Sequence, residues 1–235
     1  MIMDESSIIK AYKRQAGIYD YLFGSIFEAG RKAIVTSMNC QLGEAVLEVG
    51  AGTGLSLPLY PRGTTVVAID ISPHMLNKAK KRVEAKKLRN VHLEMMDAQD
   101  LQFDDNTFDK VVAMYVVPVV PDPKLLVAEM ERVCKPGGDI FIVNHFSHSH
   151  PFIRRCEKFI APLSRFIGFR PDLSMEEFIE NTSLKVEKVT PTNLFGYWSI
   201  IHTKKEKIEN LPLTNEQNNE DKTFDDQALV TSIIQ

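Results

Sequence analysis

Three glycines and one acid follow one another at the end of a short apolar run in the segment VLEVGAGTG. Gly50, Gly52 and Gly54 stand on alternate positions, and Glu48 precedes the first of them by two residues. A glycine-rich turn after a buried strand lets the backbone approach a nucleotide without a side-chain clash. The dinucleotide pattern G-x-G-x-x-G/A fails here, because Leu55 occupies its third position.

The charge of Glu48 also argues against a phosphate ligand. A carboxylate repels a pyrophosphate by a few kcal/mol at ~4 Å when the dielectric constant is about 20, whereas it attracts a cation. S-adenosylmethionine presents an α-ammonium and a sulfonium and has no phosphate. We therefore predict that Glu48 and the three glycines hold the methionine part of this cofactor.

Two further acids follow the next two strand candidates. Asp70 ends the run TVVAID, where an acid typically accepts hydrogen bonds from ribose hydroxyls, a feature shared with NAD proteins. Asp97 and Ala98 follow the run VHLEM. We predict that Asp97 contacts the adenine amino group and that Ile71 and Met75 supply apolar faces for the ring.

Short β-branched runs alternate with longer helical patterns, which is typical of a parallel sheet covered by helices. The predicted strands are residues 45–49, 65–70, 91–95, 110–116 and 140–144. Predicted crossover helices span 72–87, with a Ser cap and Pro first, and 122–138, with Leu125, Leu126, Met130 and Val133 on one face.

The pattern changes after residue 150. An amphipathic segment at 151–170 and a short helix around SMEEFIEN precede two strand-like runs, LKVEKVT and FGYWSIIHT, that fit a closing antiparallel pair. We divide the chain into an N-terminal helical cap at 1–40, a main domain at 41–203 and a polar, disordered tail at 204–235. The cap is also a candidate membrane-contact segment.

The segments EVGAGTG, AIDIS, MDAQDL and YVVPVVPDP together resemble class I S-adenosylmethionine-dependent methyltransferases. The resemblance covers roughly residues 40–145. It implies an α/β, Rossmann-like fold with a seven-stranded, mostly parallel sheet, a reversed last strand and helices on both faces. The N-terminal helices would cap this domain.

An amine acceptor needs more than alignment with the S–CH3 bond. A primary amine with a pKa near 10 is only about one part in a thousand neutral at pH 7, so a nearby proton acceptor helps. Our candidates are Tyr19 and Tyr21, Tyr115 after the fourth strand, and Asn144 with His145 after the fifth. Tyr19, Tyr115 and His145 are the first to test, although His145 also fits a capped loop histidine.

Several partners are not expected. A net charge of −3 argues against general nucleic-acid binding. The histidines of HFSHSH (145–150) match no common metal site, so we predict no metal. The three cysteines, Cys40, Cys134 and Cys156, lack disulfide or metal-ligand spacing and are typical of reduced thiols in a cytosolic protein.

A closer resemblance concerns the substrate. AYKRQAGIYDYLFGSIFEAGRKA, GLSLPLYP, FDKVVAMYVVPVVPDP and GGDIFIVNHF resemble bacterial phosphatidylethanolamine N-methyltransferases of the soluble, Rhodobacter type. This resemblance implies stepwise methylation of the ethanolamine head group toward phosphatidylcholine. It also implies work at the inner membrane surface, with the N-terminal helix taking part in lipid attachment.

The chain has no apolar run long enough to span a bilayer. Residues 151–170 combine bulky apolar side chains with Arg154, Arg155, Lys158, Arg165 and Arg170, which suits an interfacial helix on anionic lipid. A helix packed on the domain with a solvated basic face would show the same pattern. We expect a cytoplasmic protein that associates peripherally with the inner membrane.

Three alternatives stay open from the sequence. A C-methyltransferase of quinone biosynthesis shares the cofactor motifs and handles a lipophilic substrate. A small-molecule amine N-methyltransferase would use residues 151–170 as a lid. A cofactor-binding protein without catalysis fits less well, because the acidic and glycine positions are intact.

Overall fold

A computed structural model describes residues 27–146, 174–182, 184–192 and 198–207. The strands are β1 Ala45–Val49, β2 Thr65–Asp70, β3 Val91–Met95, β4 Phe108–Met114, β5 Cys134–His145, β6 Val186–Thr192 and β7 Trp198–Lys204. The helices are α1 Glu28–Met38, α2 Pro73–Lys86, α3 Pro123–Val133 and α4 Met175–Asn181, with a 3-10 turn at Leu57–Leu59. The predicted segment 151–170 and nearly all of the predicted tail lie outside the described residues.

The strands form one seven-stranded sheet in the order β3-β2-β1-β4-β5-β7-β6. Strands β1 to β5 pair in parallel, whereas β7 is antiparallel to both β5 and β6. The predicted fold, with its reversed last strand and closing antiparallel pair, is therefore confirmed. Since β1 lies between β2 and β4, the chain order reverses there, and sheets of this kind bind ligands at the carboxyl ends of such strands.

Helix starts follow the local signals in the sequence. Ser72 caps α2 by accepting a hydrogen bond from the Met75 N–H, and Pro73 opens the helix as predicted. Asp122 caps α3 through the Lys124 N–H, with proline again in the first turn. These caps fix where each crossover helix leaves the carboxyl end of the sheet.

Helices cover both faces of the sheet. On one face, Ile34 and Val35 of α1 and Ala79 of α2 pack with sheet residues such as Val112. On the other face, α3 and α4 bury apolar side chains against the alternate sheet residues. The two cores explain why the central strands are apolar at nearly every position.

Several predicted details were wrong. The predicted helix 122–138 ends at Val133, because the chain from Cys134 onward already belongs to β5, and β4 begins at Phe108, two residues before the predicted start. Leu125 is 51% exposed, and Val127 takes the buried position beside Leu126, because α3 presents a different face to the sheet. Strand β4 ends at Met114, since Tyr115 adopts a left-handed φ of 64°. Strand β5 starts at Cys134, well before residue 140, because its Pro-Gly-Gly segment bulges from the ladder without ending it.

Membrane-spanning helices are absent from the residues that the structure describes. None of the helices in these ranges is long and apolar enough to cross a bilayer.

Candidate active site

A cavity opens at the carboxyl ends of β1 to β4. Sixteen residues line it: Gly50, Gly52, Ile69, Asp70, Ile71, Met75, Met96, Asp97, Ala98, Gln99, Met114, Tyr115, Val116, Val119, Val120 and Pro121. The set includes most of the predicted cofactor residues and Tyr115. The sheet topology thus brings together residues that are up to 71 positions apart in the chain, from Gly50 to Pro121.

The three loop glycines have different reasons to be glycine. All three have positive φ values, which disfavour a side chain. A Cβ on Gly50 would collide with Val116, whereas a Cβ on Gly52 would meet nothing within 4 Å, so the space beside Gly52 is open. A Cβ on Gly54 would lie 2.7 Å from Leu57, and Gly54 does not line the cavity. Gly54 therefore serves packing behind the loop.

Asp70 is held by two backbone groups. Its Oδ2 accepts a 2.8 Å hydrogen bond from the Gly52 N–H, and its Oδ1 accepts one of 2.8 Å from the Ser72 N–H. Burial raises the pKa of the Asp70 carboxyl, and these two hydrogen bonds counteract part of that rise. The carboxylate is fixed at the cavity wall with lone pairs left for a ligand.

Asp97 belongs to a chain of hydrogen bonds that sequence reasoning missed. Its Oδ1 accepts a 2.9 Å hydrogen bond from the Gln99 N–H. The Gln99 side-chain oxygen in turn accepts a 2.8 Å hydrogen bond from the Asp122 N–H. Gln99 therefore ties the loop after β3 to the start of α3. The remaining Asp97 oxygen is available to a donor such as an exocyclic amine.

Glu48 lies on the other side of the glycine loop. It is 2% exposed, and its two oxygens accept hydrogen bonds from the Ser56 hydroxyl and, at 2.7 Å, from the Tyr60 hydroxyl. Burial raises the pKa of Glu48, and the two hydroxyl bonds counteract part of the rise. The bonds join the end of β1 to the segment GLSLPLYP and keep the loop in place.

Glu48 lines a second, smaller cavity that adjoins the first. Its lining residues are Phe27, Arg31, Glu48, Gly50, Ala51, Gly52, Thr53, Leu55, Ser56, Met114 and Tyr115. Four residues, Gly50, Gly52, Met114 and Tyr115, line both cavities. The glycine loop is therefore a shared wall along which an extended ligand can pass.

Arg31 was not predicted from the sequence. It is 8% exposed and points into the second cavity from α1. The signal was present, because Arg31 stands three and four positions before Ile34 and Val35, on the apolar face of the helix. An arginine on the buried face of a helix is usually paired with a polar or charged group.

Tyr115 stands where the two cavities meet. Its φ of 64° is rare for a bulky residue, and such strained positions cluster at functional sites. Its ring lies 4.3 Å from that of Phe27, and the Phe27 ring makes an edge-to-face contact with Trp198 at 5.7 Å. The three rings form an aromatic wall, which suits a cationic or apolar acceptor.

The other acceptor candidates are less directly placed. His145 is 1% exposed at the end of β5, opposite Trp198, and is not among the residues lining either cavity. Tyr19, Tyr21, His148 and His150 lie outside the described residues. Within the described ranges, no three His, Cys, Asp or Glu side chains are grouped to hold a metal ion.

The site suits a ligand with an adenosine end and a charged amino-acid end. The first cavity offers two acids and apolar side chains for a ribose and a base, and open space lies beside Gly52. The second cavity offers a carboxylate and a guanidinium for a zwitterion. S-adenosylmethionine has these parts in this order, so the residues fit it.

Comparison with known proteins agrees with this chemistry. A methyltransferase-domain family model matches residues 47–142. The phosphatidylethanolamine N-methyltransferase of Cereibacter sphaeroides is 41% identical over 85% of this chain and 98% of that protein. The demethylmenaquinone methyltransferase of Tropheryma whipplei is 32% identical over 70% of this chain and 68% of that protein.

Solved structures share the fold. Geranyl diphosphate C-methyltransferase from Streptomyces coelicolor, determined with S-adenosyl-L-homocysteine, superposes with a TM-score of 0.63 over 76% of each chain, at 14% identity. With the relatives and the site, these findings give the conclusion: the chain belongs to the class I S-adenosylmethionine-dependent methyltransferases and uses S-adenosylmethionine as its methyl donor.

Proposed function

We propose that this methyltransferase transfers methyl groups to the amine of phosphatidylethanolamine, stepwise toward phosphatidylcholine. The observation that carries the proposal is the 41% identity to the Cereibacter sphaeroides phosphatidylethanolamine N-methyltransferase, which extends over 98% of that protein. Identity limited to the cofactor motifs would not favour any acceptor. Here the matched region covers 85% of this chain and so extends well beyond those motifs.

We assign the cofactor-side roles from the lining of the cavities. Asp70 accepts hydrogen bonds from the ribose hydroxyls, and Asp97 accepts one from the adenine amino group. The adenine ring packs between Ile71, Met75 and Ala98. When bound, S-adenosylmethionine supplies an electrophilic methyl group on a sulfonium. Glu48 and the glycine loop fix the methionine part so that this methyl group faces the acceptor.

The aromatic wall supports an amine acceptor. Tyr115 and Phe27 have ring centroids 4.3 Å apart and both line the second cavity. An ammonium that gains methyl groups is attracted to aromatic faces, by about 0.5–2 kcal/mol for each contact. Tyr115 is thus our choice for the residue that contacts the head group. Tyr19 and His145 stay candidates for accepting or relaying the amine proton.

The site of action that we propose is the cytoplasmic surface of the inner membrane. A phospholipid amine lies at that surface, so the enzyme must approach it while staying attached only peripherally. The basic, amphipathic segment 151–170 and the N-terminal segment 1–40 are the proposed contacts with anionic lipid.

The experiment that tests this function is incubation of the purified protein with labelled S-adenosylmethionine and a total lipid extract. Analysis of the head groups should reveal label in mono-, di- or trimethylated ethanolamine lipid. Label confined to a quinone precursor would overturn the proposal.

A second function has its own supporting observation. The Tropheryma whipplei demethylmenaquinone methyltransferase is 32% identical over 170 residues. Carbon methylation requires a base that generates an enolate-like nucleophile, so a histidine such as His145 would then have a different task. A small-molecule amine would be the third acceptor class, and its methylation would not require lipid vesicles.

A further inference from the structure

We propose that Arg31 binds the α-carboxylate of S-adenosylmethionine. The inference concerns the cofactor end of the site and goes beyond the acceptor proposed above. Cofactor affinity is measured without any acceptor. A negative result for Arg31 would therefore say nothing against the proposed lipid substrate.

The charged residues that line the two cavities favour this role for Arg31. Asp70 and Asp97 line the first cavity, and Glu48 lines the second. Among the described residues that line either cavity, Arg31 is the only cationic one. The cofactor carries one anionic group, its carboxylate, which the three acids repel. Arg31 is the complement that this group requires.

The order of the lining residues along the glycine loop favours the same role. Asp70 accepts a 2.8 Å hydrogen bond from Gly52, so the proposed ribose position lies directly beside the loop. Gly52 also lines the second cavity, together with Arg31. A cofactor with its ribose at Asp70 therefore extends its amino-acid end over Gly52 toward the guanidinium.

The surroundings of the Arg31 guanidinium also suit a carboxylate ligand. Arg31 is 8% exposed on a helix whose neighbouring buried positions are apolar, so its charge faces inward. Because the guanidinium is largely shielded from water, a carboxylate in the second cavity meets a weakly screened positive charge. Burial raises the pKa of Glu48, and the charge of Arg31 counteracts part of that rise, so the two groups act on each other. The α-ammonium near Glu48 and the α-carboxylate near Arg31 would match this pair as a zwitterion.

Arginine is well suited to this task. Its planar guanidinium binds a carboxylate through two parallel hydrogen bonds, which a lysine cannot do. The position on α1 also gives the N-terminal helix a role in the cofactor site, in addition to covering the sheet.

Calorimetric titration with two ligands tests the proposal. S-adenosylmethionine has the carboxylate, whereas decarboxylated S-adenosylmethionine lacks it but keeps the ammonium and the sulfonium. The wild-type protein should bind the first ligand about 10- to 100-fold more tightly, as expected for a charge-assisted hydrogen-bonded pair. Arg31→Met should lose that preference, because its affinity for S-adenosylmethionine falls while its affinity for the decarboxylated ligand stays the same. The preference of Arg31→Lys should lie between those of the wild type and Arg31→Met.

Lys32→Met is the matched control, because Lys32 is an exposed cation on the same helix, paired with Glu28. It should leave both affinities unchanged. If Arg31→Met binds both ligands more weakly by the same factor, Arg31 merely supports the fold. If its affinity for S-adenosylmethionine is unchanged, Arg31 is not part of the site. If Arg31→Met does not fold, the test uses the wild type and Arg31→Lys, whose preference for S-adenosylmethionine over the decarboxylated ligand should be smaller. A wild-type protein that binds both ligands equally would contradict the proposal.

Discussion

The Gly52 N–H donates a 2.8 Å hydrogen bond to Oδ2 of Asp70, and this contact joins the loop after β1 to the end of β2. The same carboxylate lines the cavity through its position at the strand end. One acid therefore fixes the glycine loop and faces the proposed ribose.

Replacing Asp70 should weaken cofactor binding. Asp70→Asn keeps the shape of the side chain but loses its charge and one acceptor, so we expect the S-adenosylmethionine Kd to rise about 10- to 100-fold. Calorimetry measures the change. Asp100→Asn, an exposed acid just after β3, is the control and should have no effect. An unchanged affinity in Asp70→Asn would remove Asp70 from the ribose site.

Cofactor affinity should fall as the solution becomes acidic. Burial raises the pKa of Glu48 above its usual value of about 4.5, so the free protein binds a proton there more readily. A cationic ligand favours the ionised carboxylate, and binding must expel that proton when the pH is below the raised pKa. Affinity should therefore decline with falling pH in wild type, and less steeply in Glu48→Gln.

Titrations of both proteins at a series of pH values check this prediction. At neutral pH, Glu48→Gln should already bind more weakly, because an amide cannot accept hydrogen bonds from both the Ser56 and the Tyr60 hydroxyls through two oxygens. Parallel pH profiles for the two proteins would show that Glu48 does not sense the ligand.

Lys110 should matter for stability and not for cofactor binding. Its Nζ lies 2.7 Å from Oε1 of Glu44 and 3.5 Å from Oδ2 of Asp139, and its side chain is 8% exposed. Lys110 lies toward the amino end of β4, away from the cavity. Lys110→Met should lower the free energy of unfolding by about 3 kcal/mol at pH 7, because Glu44 loses this part-buried ion pair. Asp139 loses the more distant contact with Lys110 and keeps His202 and Lys204 nearby.

The pH dependence of this effect follows from the pKa of Lys110. Burial lowers the pKa, but the hydrogen bond to Glu44 and the charges of Glu44 and Asp139 raise it more, so the net shift is upward. The stabilisation is fully present below the ordinary lysine value of about 10.4 and is lost as the pH rises through the folded-state value. Urea unfolding should give a difference between wild type and Lys110→Met that narrows at high pH. The exposed Lys124→Met is the control, and an equal loss there would refute a special role for Lys110.

The Tyr115 hydroxyl should act on the acceptor. Tyr115→Phe keeps the ring against Phe27 and removes only the hydroxyl, whose hydrogen bond to the Phe27 carbonyl is long, at 3.5 Å, and contributes little to stability. We expect kcat to fall about 10- to 100-fold while the cofactor Kd and the unfolding midpoint stay unchanged. If kcat is unaltered in Tyr115→Phe, the hydroxyl has no role in the reaction and Tyr115 contributes only its ring to the aromatic wall.

Membrane binding should depend on the basic side chains of residues 151–170. Each Lys or Arg near an anionic surface contributes about 1 kcal/mol, so replacing Arg154, Arg155 and Lys158 by Gln should weaken binding about 100-fold. Flotation with anionic vesicles measures the bound fraction, and neutral vesicles serve as the control. Equal flotation of wild type and variant on anionic vesicles would rule out this segment as the lipid contact.

The sequence predicted most of the central sheet. Strands β1, β2 and β3 match the predicted 45–49, 65–70 and 91–95, because β-branched runs with clear flanking turns leave little choice. Local caps likewise set the starts of α2 and α3. The end of β4 could not be predicted, since the positive φ of Tyr115 depends on tertiary contacts around the cavity.

The sequence predicted those residues of the candidate site that belong to motifs at the ends of strands. Gly50, Gly52, Asp70 and Asp97 line one cavity because parallel strands bring their carboxyl ends to one edge. Arg31 was missed because the burial of one cation within EAGRKA is decided by how α1 packs on the sheet. Gln99 was missed because its link to Asp122 joins segments that are distant in the chain.

A competition between two acceptors tests most directly whether this protein methylates phosphatidylethanolamine. Purified protein receives labelled S-adenosylmethionine together with vesicles that contain equal amounts of phosphatidylethanolamine and demethylmenaquinone. We predict label on the ethanolamine nitrogen, appearing first in the monomethyl lipid and later in the more highly methylated lipids. Label on the quinone ring, with the ethanolamine head group unmodified, would contradict the account.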